Sequence, residues 1–196
     1  MKFSKKQREL FKDNGVKGKI KGATISIHSS GQTHISLKVE EVVPLHNEID
    51  WTTIPSDKII GCDLGLSHFL IDSNGNKIDN PKSLKSYLYK LAKLQRGLKN
   101  KKKGSSNYKK LQQKIAKLHL KIANTRKDFL HQQSRKLVNE NQVIVLEDLN
   151  VKGMIKNKKL ARSIADVTWA TFVTYVTYKV AWENKKVVPV DHFFAS

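Results

Sequence analysis

Acidic residues are the first shortage: 17 Asp and Glu stand against 37 Lys and Arg in 196 residues, a formal charge of +20. That imbalance is far beyond what solubility requires and predicts attraction to polyanions, with nucleic acid foremost. A lipid surface fits less well, because no basic amphipathic helix carries a Trp or Phe face. Cysteine is almost missing, and Cys62 alone can build neither an internal disulfide nor a zinc site. No apolar run approaches the roughly 18 residues of a membrane span. The start MKFSKKQREL lacks the apolar segment of a secretory signal. These absences predict a cytoplasmic chain with no membrane partner. There is no glycine-rich phosphate loop and no Gly-x-Ser-x-Gly elbow. Seven histidines (28, 34, 46, 68, 119, 131 and 192) include no pair at four-residue spacing beside a Glu, so they read as ordinary surface or core residues.

What is present is enough apolar content, 39%, to bury a core. From Ile20 to Val43 apolar and polar residues alternate, which predicts a β-hairpin closed around Ser29-Ser30-Gly31-Gln32. One hairpin is rarely stable alone, so it reads as part of a small sheet or barrel. Pro44 to Pro55 reads as a linker anchored by Trp51. The stretch Lys58–Gly65 reads as a strand that ends at Asp63, followed by a strand over His68–Asp72, a turn at Ser73–Asn76 and a third strand from Lys77, which together make an antiparallel meander. Leu84, Leu88, Leu91, Leu94 and Leu98, then Leu111, Ile115, Leu118, Ile122 and Phe129, predict two antiparallel helices around a glycine turn.

Between Lys82 and Lys136 there are eighteen Lys or Arg and one acid, Asp128, so this helical pair carries +17 of the +20. With almost no intrahelical acid to offset self-repulsion, the pair needs an external counterion, for which a phosphate backbone is suited. The plainer alternative is a solvated coiled-coil arm. The candidate nucleic-acid-binding residues are Lys93, Arg96, Lys99, Lys101, Lys102, Lys103, Lys109, Lys110, Lys114, Lys117, Lys121, Arg126 and Lys127. The apolar run 143–149 reads as a short strand and Asn150–Ala161 as a basic loop. From Thr168, Trp169, Phe172, Val173, Val176 and Val180 fit one helical face, and although the many Thr, Val and Tyr residues also suit a strand, the length favours helix. Lys186–Val190 reads as a last strand. Trp169, Trp182, Tyr175 and Tyr178 could stack bases, but a core-facing role is the expectation for them.

Two short apolar runs each end in an acid: KIIGCDLG delivers Asp63 between Gly61 and Gly65, and VIVLEDL ends in Glu147 and Asp148. Side by side on neighbouring strands, Asp63 and Glu147 could share divalent metal, since hard cations take oxygen ligands. Each could instead be a turn or cap residue. Asp148, Asp166 and Asp191 read as cap or loop residues.

The runs IIGCDLG, NTRKDFLH, VIVLEDLNVKGM, ADVTW and VVPVDHFF, in order over residues 20 to 196, resemble the RuvC-type nuclease domain of the TnpB family, insertion-sequence proteins described as probable transposases. The resemblance implies an α/β (α+β mixed) fold. Its parts are a ribonuclease H-like core over 58–196 with an inserted helical hairpin at 81–139, and a partial wedge-like β-barrel segment and linker over 1–57. It implies a transposition-linked, RNA-guided DNA endonuclease in which Asp63 and Glu147 hold magnesium and the basic helices face the guide–target heteroduplex. DNA and guide RNA are then the implied partners. Cys62 stands where an aliphatic residue is usual in the family. Family members continue into a zinc ribbon and a third catalytic aspartate that are absent here, and most of the wedge and recognition lobe is absent too. The expectation is therefore weakly held or missing magnesium, no zinc, no cleavage by this polypeptide alone, an uncovered apolar sheet face and a separately encoded C-terminal remainder as partner. The competing expectation, from a different class, is a nuclease-dead nucleic-acid-binding module or repressor.

Overall fold

The computed structural model describes residues 19–40, 50, 53–65, 67–147 and 168–190, and the chain divides into two units, 1–47 and 48–196. In the first, β1 (Lys19–Ile27) and β2 (Thr33–Glu40) form the expected antiparallel hairpin, with a bulge between Ile20 and Gly22. Gly31 closes it at φ 83°, a left-handed conformation that favours glycine. Both strands are exposed almost throughout, Ile25 and Ile27 included.

The second unit is built on a mixed five-stranded sheet. Its strands are β3 (Ile59–Asp63), β4 (Leu70–Asp72), β5 (Lys77–Ile78), β6 (Val143–Glu147) and β7 (Lys186–Val190), in the order β5-β4-β3-β6-β7. β3, β4 and β5 are the antiparallel meander; β6 and β7 run parallel to β3. One correction concerns β4, which starts at Leu70 rather than His68. The His68 imidazole is held 2.6 Å from the Asp79 carboxylate, outside the ladder. In the turn after β4, both Asp72 oxygens accept hydrogen bonds from Asn74 or Asn76. These bonds hold the carboxyl below its usual range despite an opposing desolvation effect, which is the largest single influence on it.

Three helices complete the unit: α1 (Lys82–Lys99), α2 (Ser106–Glu140) and α3 (Thr168–Trp182). Ser105 caps α2 by accepting from the Tyr108 N–H at 3.2 Å, as short polar side chains do at helix starts. α1 and α2 are antiparallel: Gly97 faces Leu111, Lys121 Nζ lies 4.9 Å from the Tyr87 ring centre, and Leu91 and Ile122 share a small apolar cluster. The second helix runs eleven residues beyond the Phe129 at which the leucine series stops. There its inward residues Leu130, Ser134, Leu137 and Val138 enter the main core.

Alternate strand residues decide which face is covered. Ile60, Cys62 and Leu64 of the β3 segment, with Ile144 and Leu146 of β6, are buried with Leu137, Val138, Trp169, Phe172, Val176 and Val180 of α2 and α3. Phe69 clamps this layer, its ring edge-on to Phe129 at 5.0 Å and to Phe172 at 5.1 Å. Burial lifts the Cys62 thiol to about 12, with nearby Asp72 adding to the shift, so it stays an inert core residue. The intervening residues point to the other face, where Val143 is buried, Ile59 is 40% exposed and Val145, Val188 and Val190 are half-buried. Among the described residues, none of these five belongs to the main core cluster.

Candidate functional site

A parallel ladder makes the site. β3 and β6 pair in register through Ile59–Val143, Ile60–Ile144, Gly61–Val145 and Cys62–Leu146. Asp63 and Glu147 are each the next residue on their strands, and both belong to the face opposite the main core cluster. Adjacent strands lie about 4.8 Å apart, so the two carboxylates leave the same end of the sheet as neighbours. Asp63 is exposed and Glu147 half-buried. On its other flank Asp63 pairs with Ile71 and Glu147 with Val190. Two acids on an apolar strip of Ile and Val have no basic partner among the strand residues that pair with them. Gly65 permits the chain to turn away directly after Asp63: a Cβ there would stand 3.3 Å from the His68 carbonyl. Gly61 meets no such crowding, its nearest neighbour being Ser73 Cβ at 3.6 Å.

The donor set is chemically suited to a hard divalent cation, which takes carboxylate oxygens and fills remaining positions with water or phosphate. Among the described residues no third His, Cys, Asp or Glu gathers with the pair. Asp148, Asp166 and Asp191 lie outside the described residues, as do Trp51 and the basic loop 150–161.

The basic arm springs from the carboxylate end. α2 finishes at the opposite edge of the sheet, where the Gln142 N–H donates to the Lys58 carbonyl at 2.9 Å, and it passes the carboxylate edge near Phe129. The residues from Ser106 to Asp128 therefore overhang that edge by roughly 30 Å at 1.5 Å per residue. Of the thirteen candidate nucleic-acid-binding residues, all are exposed except Arg126, which is half-buried. At the tip, Gly104 adopts φ 84° to reverse the chain beside Lys101, Lys102 and Lys103.

One polar group in the core escaped the sequence reading. Lys179 is 4% exposed, and its Nζ donates to the His131 carbonyl at 2.8 Å and to Ser134 Oγ at 2.6 Å. Ser134 Oγ in turn donates to the Leu130 carbonyl at 2.6 Å. Burial lowers the Lys179 ammonium from its usual value, Arg135 adds to this and Glu183 opposes it. Burial, then Lys179 and Lys127, likewise lower His131, against Asp128. The lysine falls among the apolar positions of α3, and only its one-turn offset from Tyr175 and Trp182 could have signalled it. Trp182 is a correction of the opposite kind. Expected in the core, it is 68% exposed at the last residue of α3.

The family model described as "Probable transposase" matches residues 34–158. A Streptomyces pristinaespiralis protein named "Putative RNA-guided DNA endonuclease" is 38% identical over 174 residues, 88% of this chain and 41% of its own length. The Escherichia coli K12 protein of that name, InsQ, is 32% identical over 198 residues, 92% of this chain and 47% of its own. A Mycobacterium tuberculosis relative, similarly named, is 26% identical over 194 residues. The chain thus spans less than half the length of these curated relatives.

Proposed function

This chain belongs to the TnpB family of probable transposases, and on that premise we propose that it is the nucleic-acid-holding part of a metal-dependent, RNA-guided DNA endonuclease. The observation that carries the reading is the β3–β6 register, which sets Asp63 beside Glu147 at the edge from which the basic arm projects. The mixed sheet, with β4 antiparallel between β5 and β3 and with β6 and β7 parallel to β3, supports taking the unit as a ribonuclease H-like core. Asp63 and Glu147 would hold magnesium, which when bound orients a water and offsets charge developing on a scissile phosphate. The chain's own residues do the rest. The arm's exposed lysines neutralise backbone phosphates and so position a duplex by shape and charge rather than by sequence. The part-exposed face beside the carboxylates leaves room for a phosphate backbone to approach.

Two carboxylates make a partial cage, and the part-exposed Ile59–Val145–Val188 strip is where a further segment carrying another oxygen ligand would pack. We therefore expect these 196 residues to bind guide RNA and DNA and not to cut alone. The test incubates the chain with magnesium, a family guide RNA and matched DNA, with Asp63→Ala as control. Tight binding without cutting is the expected result. Cutting abolished by Asp63→Ala would show the two-carboxylate site to be sufficient, and absence of any nucleic-acid binding would end the whole reading.

A further inference from the structure

Four aromatic side chains form a continuous series across α2 and α3, starting at His131, two residues past Phe129, and running away from the carboxylate edge to Trp182. His131 stacks on Tyr175 with ring centres 4.0 Å apart and planes at 16°. Tyr175 meets Tyr178 edge-on at 5.9 Å, and Tyr178 meets Trp182 at 4.7 Å. A single exposed aromatic needs no explanation, but this run ends in an indole that is 68% exposed. Its length along α3 is the reason for its position. Trp182 is the last residue of a 15-residue helix that starts near Phe69, so it lies roughly 20 Å from the carboxylate edge.

The charge around the series is mixed: Lys127, Arg135 and the buried Lys179 stand against Asp128 and Glu183. The Lys179 ammonium lies 5.9 Å from the Tyr175 centroid and 6.0 Å from that of Tyr178. Exposed Arg135 is one helical turn from His131 and pairs with Glu183 beside Trp182, while Lys127 acts on His131 from the N-terminal side. α2 is also the rear helix of the basic arm, and between Lys127 and Arg135 it carries the acid Asp128 and no further cation. Lys179 is buried, so the exposed cations at hand are Arg135 and Lys127; an exposed ring near such cations suits a single strand, whose bases stack on a π-face and whose phosphates meet the charge.

We propose that Trp182, backed by Tyr178, Tyr175 and His131, forms a stacking platform for single-stranded nucleic acid. The platform takes unpaired DNA or RNA at a place distinct from the carboxylate site. It presumes that the chain binds nucleic acid but does not require it to cleave.

The test measures binding of a fluorescein-labelled 12-nucleotide oligo(dT), and of a 12-base-pair duplex, to the wild type, Trp182→Ala, Trp182→Phe and Lys102→Ala. Trp182→Ala is expected to weaken oligo(dT) binding by roughly 5- to 100-fold, the loss of one stacked base. The slope of log K against log salt should stay unchanged, and Trp182→Phe should recover most of the loss. Duplex affinity should not respond to Trp182. Lys102→Ala should instead lower the salt slope. Oligo(dT) affinity of Trp182→Ala within twofold of wild type would overturn the platform, as would an equal loss on duplex. Poly-glutamate competing through Trp182 would assign the face to an acidic protein and also overturn it. If the wild type binds neither probe, the arm reading falls as well, whereas wild-type binding indifferent to Trp182 removes the platform alone.

Discussion

Asp63→Asn should stabilise the metal-free protein, the reverse of what most substitutions do. Asp63 and Glu147 leave neighbouring strands about 5 Å apart, each with aliphatic residues beside it. Two like charges at that distance repel by about 0.8 kcal/mol in bulk water and about 3 kcal/mol at an effective dielectric constant near 20. Because Asp63 is exposed and Glu147 half-buried, the lower end applies, and about 1 kcal/mol should be recovered when either charge is removed. Glu147→Gln should give a similar gain, and the double variant little more, because the repulsion can be removed only once. Magnesium reverses the sign. At tenfold excess over its Kd, binding to the folded state adds about 1.4 kcal/mol to the wild type. For a chain of this size that raises Tm by about 3–6 °C. Neither single variant should respond fully. The assay is thermal unfolding in EDTA and in magnesium, with calcium as a second cation. Equal magnesium shifts in wild type and Asp63→Asn would refute the pairing, as would an EDTA destabilisation of Asp63→Asn.

Three further outcomes follow from the same geometry. Neutralising Lys101, Lys102 and Lys103 together should lower the salt slope of duplex binding by about 2–3, at roughly 0.9 per phosphate contact, as read by titration at several salt concentrations. Phe172→Ala, at a fully buried ring edge-on to Phe69, should cost about 3–5 kcal/mol in guanidinium unfolding, whereas exposed Trp182→Ala should stay within about 0.5 kcal/mol. Lys179 is lowered in the folded state, so between that lowered value and the usual 10.5 the unfolded chain holds the extra proton and stability rises with pH. Lys179→Met should lose that rise. It should also be no less stable than wild type at pH 7, since it removes the cost of burying an ammonium while Ser134 keeps its bond to the Leu130 carbonyl.

Some of this was legible in the chain because it is written in local period. The strands ending in Asp63 and Glu147 are short β-branched runs, and the leucine series of α1 and the first half of α2 marks one helical face. The second half of α2 was not legible in apolar period, although the resemblance implied a hairpin as far as residue 139. Past Phe129 its inward positions include Ser134, so apolar spacing weakens where the helix enters the main core. Trp182 misled for a related reason. It shares the helical face of Tyr175 and Tyr178, but as the last residue of α3 it is exposed where Val180, two residues earlier, is buried, and helical spacing does not record where burial stops.

By itself, the sequence determined the element types, the charge of the arm and the two acids at strand ends, since each depends on residues within a few positions of one another. Only the tertiary structure decided that β3 and β6 are parallel neighbours in a register that sets Asp63 beside Glu147, though more than eighty residues separate them. It likewise decided that the arm overhangs that same edge and that Lys179 is drawn under the aromatic rings. Each depends on which apolar faces find one another when the core closes, and a face carries its pattern in the chain but not the identity of its partner.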